Sequence, residues 1–134
     1  MAFRAELTIE DRTYRVLYCT HTIQRDTDSS NGKPTSRPRF GRIDLEIEST
    51  DDVFLWDKIG VHNYEGLTGT IVFKKRDEEV KMKELHFEEA YVIEHTEVFQ
   101  SYGDSPMKIR FALSAERLRM SGTAEECEIR NEWS

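Results

Sequence analysis

Cysteine is nearly absent: Cys19 and Cys127 are the only two in 134 residues, one in an expected strand and one near the tail. That suits reduced thiols in a cytoplasm better than a secreted disulfide framework. Apolar runs reach only a few residues, far short of the ~20 that a helical membrane span needs. The opening MAFRAELTIED has one Arg but no apolar stretch and no small-residue cleavage site, so no secretory signal peptide is expected. Positive charge is in deficit. The net charge is −7 with 34% charged residues, which argues against binding nucleic acid through a generally basic surface. Internal repeats and low-complexity tracts are also missing, so one domain, 1–134, is expected, large enough to bury a core.

What the chain has is alternation. Phe3, Ala5, Leu7 and Ile9 alternate with Arg4, Glu6 and Thr8, a strand with one wet face. After the polar turn Glu10-Asp11-Arg12, a second strand is expected from Tyr14 to about Thr27, covered on both sides for part of its length. Ile43, Leu45 and Ile47 alternate with charged residues in a third. Residues 69–99 are the most informative stretch: two strands, about Gly66–Arg76 and Lys81–Phe99, around a charged turn at Asp77-Glu78-Glu79. In the second of these, Leu85, Phe87, Glu89, Tyr91, Ile93, His95, Glu97 and Phe99 share one period-two run. Unbroken, it reaches roughly 60 Å at about 3.3 Å per residue. That exceeds what the core of a compact domain of this size covers, and it points to assembly. Met107, Ile109, Phe111, Leu113 and Ala115 form a later strand after the loop Ser101–Pro106. The tail Gly122–Ser134 is acidic, with Ile129 and Trp133 as its large apolar residues.

One helix of about ten residues is expected. Ser49-Thr50-Asp51-Asp52 reads as its start, with a Ser or Thr cap, and Gly60 as its stop. Val53, Trp56 and Ile59 fall at helical spacing, and Trp56 is read as a core anchor in preference to a ligand-stacking platform. Seven strands and this helix, with no helix between successive strands, predict a mainly β fold: an antiparallel β-barrel of long strands with one short flanking α-helix.

Between the second and third strands, Asp28–Arg39 is rich in Ser, Gly, Pro and Arg. Lys33, Arg37, Arg39 and nearby Arg42 concentrate positive charge in an acidic chain. A solvated hairpin tip and a basic arm reaching an acidic neighbour both fit, and the arm is favoured.

The residue types of catalysis occur without its spacing. Cys19 and His21 share a strand face, but zinc needs three or four converging ligands, and His62, His86 and His95 form no second pair. Neither cysteine has a nucleophile motif around it, and Ser114 and Ser121 lack a G-x-S-x-G context. Adjacent carboxylates such as Glu88-Glu89 point to opposite strand faces. Gly66, Gly69 and Gly103 read as turn or bulge residues, with no phosphate-binding loop. The expectation is no enzyme, no metal and no cofactor.

With these segments laid out, MAFRAELTI, TYRVLYCTHTIQRDTD, FKKRDEEVKMKEL, SPMKIRFALSAERLRM and the late NEW resemble, in that order, the tube protein of type VI secretion. This is the TssD or Hcp (haemolysin-coregulated protein) family, in its Bacteroidetes branch. The resemblance implies a barrel with a flanking helix that assembles into six-membered rings with a wide channel. Rings stack into a tube inside a contractile sheath, carry effector proteins, meet spike and baseplate components, and are secreted without a cleaved signal peptide. No catalytic residue and no cofactor are implied. It also suggests that Lys33, Arg37 and Arg39 contact the next ring, while lumen residues and the tail with Cys127 stay unassigned. A tail-tube protein of a phage or another contractile injection system, and a small ligand-binding barrel of lipocalin type, are the alternatives. The first uses a related fold; the second would need an internal cavity.

Overall fold

The structure, a computed structural model, describes residues 3–75, 80–103, 107–131 and 133. Strands β1 (Phe3–Ile9), β2 (Arg12–His21) and β3 (Arg42–Glu48) precede helix α1 (Phe54–Gly60). Strands β4 (Leu67–Lys75), β5 (Lys81–Phe99), β6 (Met107–Ser121) and β7 (Glu126–Arg130) follow. The expected turn at Asp77-Glu78-Glu79 lies outside the described residues.

The strand order is β3-β2-β1-β4-β5-β6-β7, and an additional β3–β6 pairing closes the first six strands into an antiparallel barrel. Closure removes most sheet edges. The interior is filled by side chains: Leu7, Ile9, Ile43, Ile47, Ile71, Leu85, Phe87 and Leu113 are fully buried. At about 25 cal/mol per Å² of apolar area, each contributes on the order of 2 kcal/mol of burial. Gly69 matters to this packing. A Cβ there would meet the Phe87 ring at 2.6 Å and the Thr8 carbonyl oxygen at 2.7 Å, so the ring lies directly on the β4 backbone.

The expected barrel and helix are present, with corrections of detail. β2 ends at His21, because beyond it the chain leaves the barrel and pairs with itself at Gln24↔Arg39 and Thr27↔Pro34. A bulge between Val16 and Tyr18 also switches its inner face, from Tyr14 and Val16 to Cys19.

β5 does not keep one phase. Leu85 and Phe87 point inward; then Ala90 and Val92 do, while Tyr91 is half-buried and Ile93 exposed. One shift lies at Glu89, whose φ of 51° is left-handed, opposite Leu67–Gly69. A second lies between Val92 and Glu94, after which His95 pairs across from buried Phe111. Two one-residue shifts cancel, so the odd positions look like a single run in sequence.

α1 has seven residues, and its start is held by Asp52, whose carboxylate accepts the Phe54 N–H at 3.1 Å, in place of Ser49 or Thr50. Its buried face is Phe54 and Leu55 with Ile59 packed beside them. Trp56 is 62% exposed and is no core anchor; its ring stands edge-on to His95 at 6.0 Å. In a helix of two turns, the 53/56/59 and 55/59 stripes both pass through Ile59, and spacing alone does not choose between them.

Candidate assembly surfaces

The register places the barrel's features at two ends. β2 finishes and β3 begins at one end, where residues 22–40 project as an arm. The Glu10-Asp11 turn, residues 49–53 and α1 lie at the other. The arm is a two-limbed hairpin. Gln24 and Arg39 exchange backbone hydrogen bonds at 3.0 and 2.6 Å, and Gly32, with φ of 76°, turns its tip under the Asp28 carbonyl oxygen.

Lys33 lies at that tip, Arg37 on the returning limb and Arg39 near the root. The structure brings them onto one exposed element, but their partners differ. The Arg39 guanidinium meets Asp26 on the facing limb at 2.6 Å, so part of its charge is used inside the arm. Arg25 donates to the Ser36 carbonyl oxygen at 3.0 Å, a further tie between the limbs. Arg37 lines an open cleft with Phe40, Ile129 and Arg130.

Strands β2, β3, β6 and β5 are consecutive neighbours and form a four-stranded half of the barrel. Its outer face is wet and dense with charge. Arg42 bridges Asp44 and Glu94, each at 3.0 Å, and Arg110 holds Glu46 at 2.7 Å. Tyr18, Glu94 and Thr96 share a shallow cleft of about 410 Å³ with Asp44, Glu46 and Arg110.

Both margins of this half-barrel are unpaired on one side among the described residues. β1 covers β2 only as far as Val16, leaving 17–21. β4 covers β5 only as far as Ala90, leaving 91–99. The two margins lie at the same height: His21 aligns through Ile43 and Leu113 with Val92, and Val16 through Ile47 and Ile109 with Glu97. Exposed Tyr18 and Ile23 flank one margin, and exposed Ile93 and Phe99 the other. Sequence alternation had no signal for these margins, because they depend on where neighbouring strands stop.

Titratable groups are dispersed. His62 pairs with Asp57 at 2.8 Å, His86 with the Thr70 hydroxyl at 2.9 Å, and His95 lies against Trp56. Burial, and then the charge of Asp44, push the Cys19 thiol up to about 11, so it stays protonated near neutrality. Among the described residues, no three His, Cys, Asp or Glu side chains are grouped as a metal site would require. No described helix is long and apolar enough to cross a membrane.

The family model for hemolysin coregulated protein Hcp (TssD) matches residues 1–134. Hcp1 from Flavobacterium johnsoniae is similar at 34% identity and a TM-score of 0.86, covering 96% of this chain and 99% of that one. Hcp1 from Salmonella typhimurium shares the fold at 12% identity and a TM-score of 0.75, covering 96% and 93%. A chain of the sheath-tube complex of an extracellular contractile injection system does so at 17% identity and a TM-score of 0.66, covering 90% and 89%. Comparison with curated proteins gives no match. On the full-length family match, the chain belongs to the TssD (Hcp) family and is a tube subunit of a type VI secretion system.

Proposed function

We propose that this single domain works by closing, six copies together, into a ring whose channel wall is the β2-β3-β6-β5 half-barrel. One observation carries the reading: two open margins of one sheet lie at the same height on opposite sides. The strands run antiparallel from β2 through β3 and β6 to β5, so β5 of one copy laid beside β2 of the next continues the antiparallel order. Such a contact uses two different patches and closes by rotation. Unpaired N–H and C=O groups on both margins gain partners, and Tyr18, Ile23, Ile93 and Phe99 lose water.

The outer face of the half-barrel then becomes the channel wall. Its charges are largely satisfied by each other, which suits a hydrated, non-adhesive passage for effector proteins. Rings stack through the arms, with Lys33, Arg37 and Arg39 toward acidic groups of the next ring. The sheath surrounds the stack, and spike and baseplate components cap it. The protein is synthesised in the cytoplasm and leaves with the expelled tube. Its role is mechanical and not catalytic.

Light scattering of the purified protein at micromolar concentration should give close to six times the subunit mass, and negative-stain images should show rings with a hole. A species that stays monomeric across concentration and salt would overturn this reading.

A further inference from the structure

The tail past β6 takes no part in closing the barrel, yet it is held at one particular place. β3 runs along one side of β6 as far as Arg42↔Ser114, and β7 takes over the same side from Arg117. Asn131 sits in the gap between them. Its backbone N–H donates to the Glu116 carbonyl oxygen at 2.7 Å. Its side-chain amide donates to the carbonyl oxygens of Phe40 at 3.0 Å and Ala115 at 3.3 Å.

Gly41 forms the opposite wall of this joint, with φ of 122°. A Cβ there would stand 2.7 Å from the Ala115 oxygen and 3.0 Å from the Asn131 amide nitrogen. The Gly41 carbonyl oxygen in turn accepts the Ala115 N–H at 2.8 Å. Beyond the joint, the Trp133 ring lies 6.0 Å from Tyr91 on β5, the strand on the other side of β6 from β7. The tail therefore has contacts on both sides of β6, with its one side-chain amide on the root of the arm.

We propose that Asn131 is a positioning residue for the arm, and that β7 and the tail form the brace that carries it. This rests on the reading of the arm as the ring-stacking contact. The bonds inside the arm hold its limbs to each other but not at an angle to the barrel; that angle is fixed at the root. From Phe40 to Lys33, seven residues extend roughly 23 Å. A swing of about 10° at the root therefore moves Lys33 by roughly 4 Å, which is enough to break an ion pair that operates at about 4 Å. An alanine at 131 leaves two carbonyl oxygens without their donor and lets the root relax.

The test uses rings of the full chain with a dye on Ser29→Cys in a Cys127→Ser background. Time-resolved anisotropy reports arm wobble, light scattering reports ring size, and sedimentation reports tubes. Asn131→Ala should leave ring size unchanged, at least double the wobble amplitude, and raise the protein concentration needed for tubes about tenfold. If that variant does not fold, Asn131→Ser, which also lacks the amide donor, runs the same comparison. Unchanged wobble overturns the inference. So does increased wobble with normal tubes, provided Lys33→Ser/Arg37→Ser/Arg39→Ser abolishes them. If that triple variant forms tubes normally, the stacking reading has failed instead, and the anisotropy still decides whether Asn131 holds the arm.

Discussion

Asp52 collects three donors at the helix end of the barrel: the Phe54 N–H at 3.1 Å, the Thr50 hydroxyl at 3.0 Å and the Tyr14 hydroxyl at 3.1 Å. Burial alone would raise its pKa, but these bonds favour the charged form and outweigh it, so the net shift is downward. Burial, with the Asp52 hydrogen bond second, pushes the Tyr14 phenol far up, so it stays a donor. A carboxylate with a depressed folded pKa adds stability that is present above its unfolded value, near 3.9, and lost as pH falls through the folded value. Acid unfolding followed by circular dichroism should therefore show a stability loss below about pH 4 that is smaller in Asp52→Asn. Equal pH dependence in the two proteins would remove Asp52 from this role. The string Ser49-Thr50-Asp51-Asp52 announced a helix start but not which residue would cap it. The cap position falls on Val53, whose side chain makes no cap, and Asp52 just before it is held by the hydroxyl of Tyr14, which is distant in sequence.

At the scale of elements, the alternating strands were legible because each has one buried face, and period two follows from that. Errors fell where an element is interrupted or short. The shifts at Glu89 and Ile93 cancel within β5 and leave no trace in the pattern. α1 is too short for its stripe to be fixed by spacing. The outcome is a clear contrast between two large aromatics. Phe87 is fully buried under Gly69, whereas Trp56 stands mostly in solvent against His95. Phe87→Ala should cost about 3–5 kcal/mol in urea unfolding, from lost burial and the cavity left behind. Trp56→Ala should cost less than about 1 kcal/mol, as for other exposed positions. Similar losses from both variants would mean that α1 packs differently from the arrangement described.

In the whole molecule, the charges that the stacking proposal uses are separated along the barrel axis. Lys33 and Arg37 are at the arm end, whereas exposed Glu10, Asp11 and Asp51 are at the helix end. Rings stacked head to tail bring these groups together; rings stacked head to head bring like charges together. The basic arm was legible from composition, because Lys and Arg clustered in an acidic chain stand out. The acidic group at the opposite end was not, since Glu10, Asp11 and Asp51 come from separate connections that only the closed barrel gathers. Exposed pairs contribute about 0–1 kcal/mol each, but a ring repeats every contact around its axis, and added salt screens them all. Tubes should therefore shorten as salt rises while rings persist. A charge exchange tests the pairing directly. Glu10→Lys/Asp11→Lys alone should abolish tubes, and Lys33→Glu alone should weaken them. Rings carrying both sets should stack again, in sedimentation and in negative-stain images. If the combined variant stays as single rings while each parent variant keeps its ring size, the arm meets some other surface of the next ring, and the Glu10-Asp11 turn is not its acceptor.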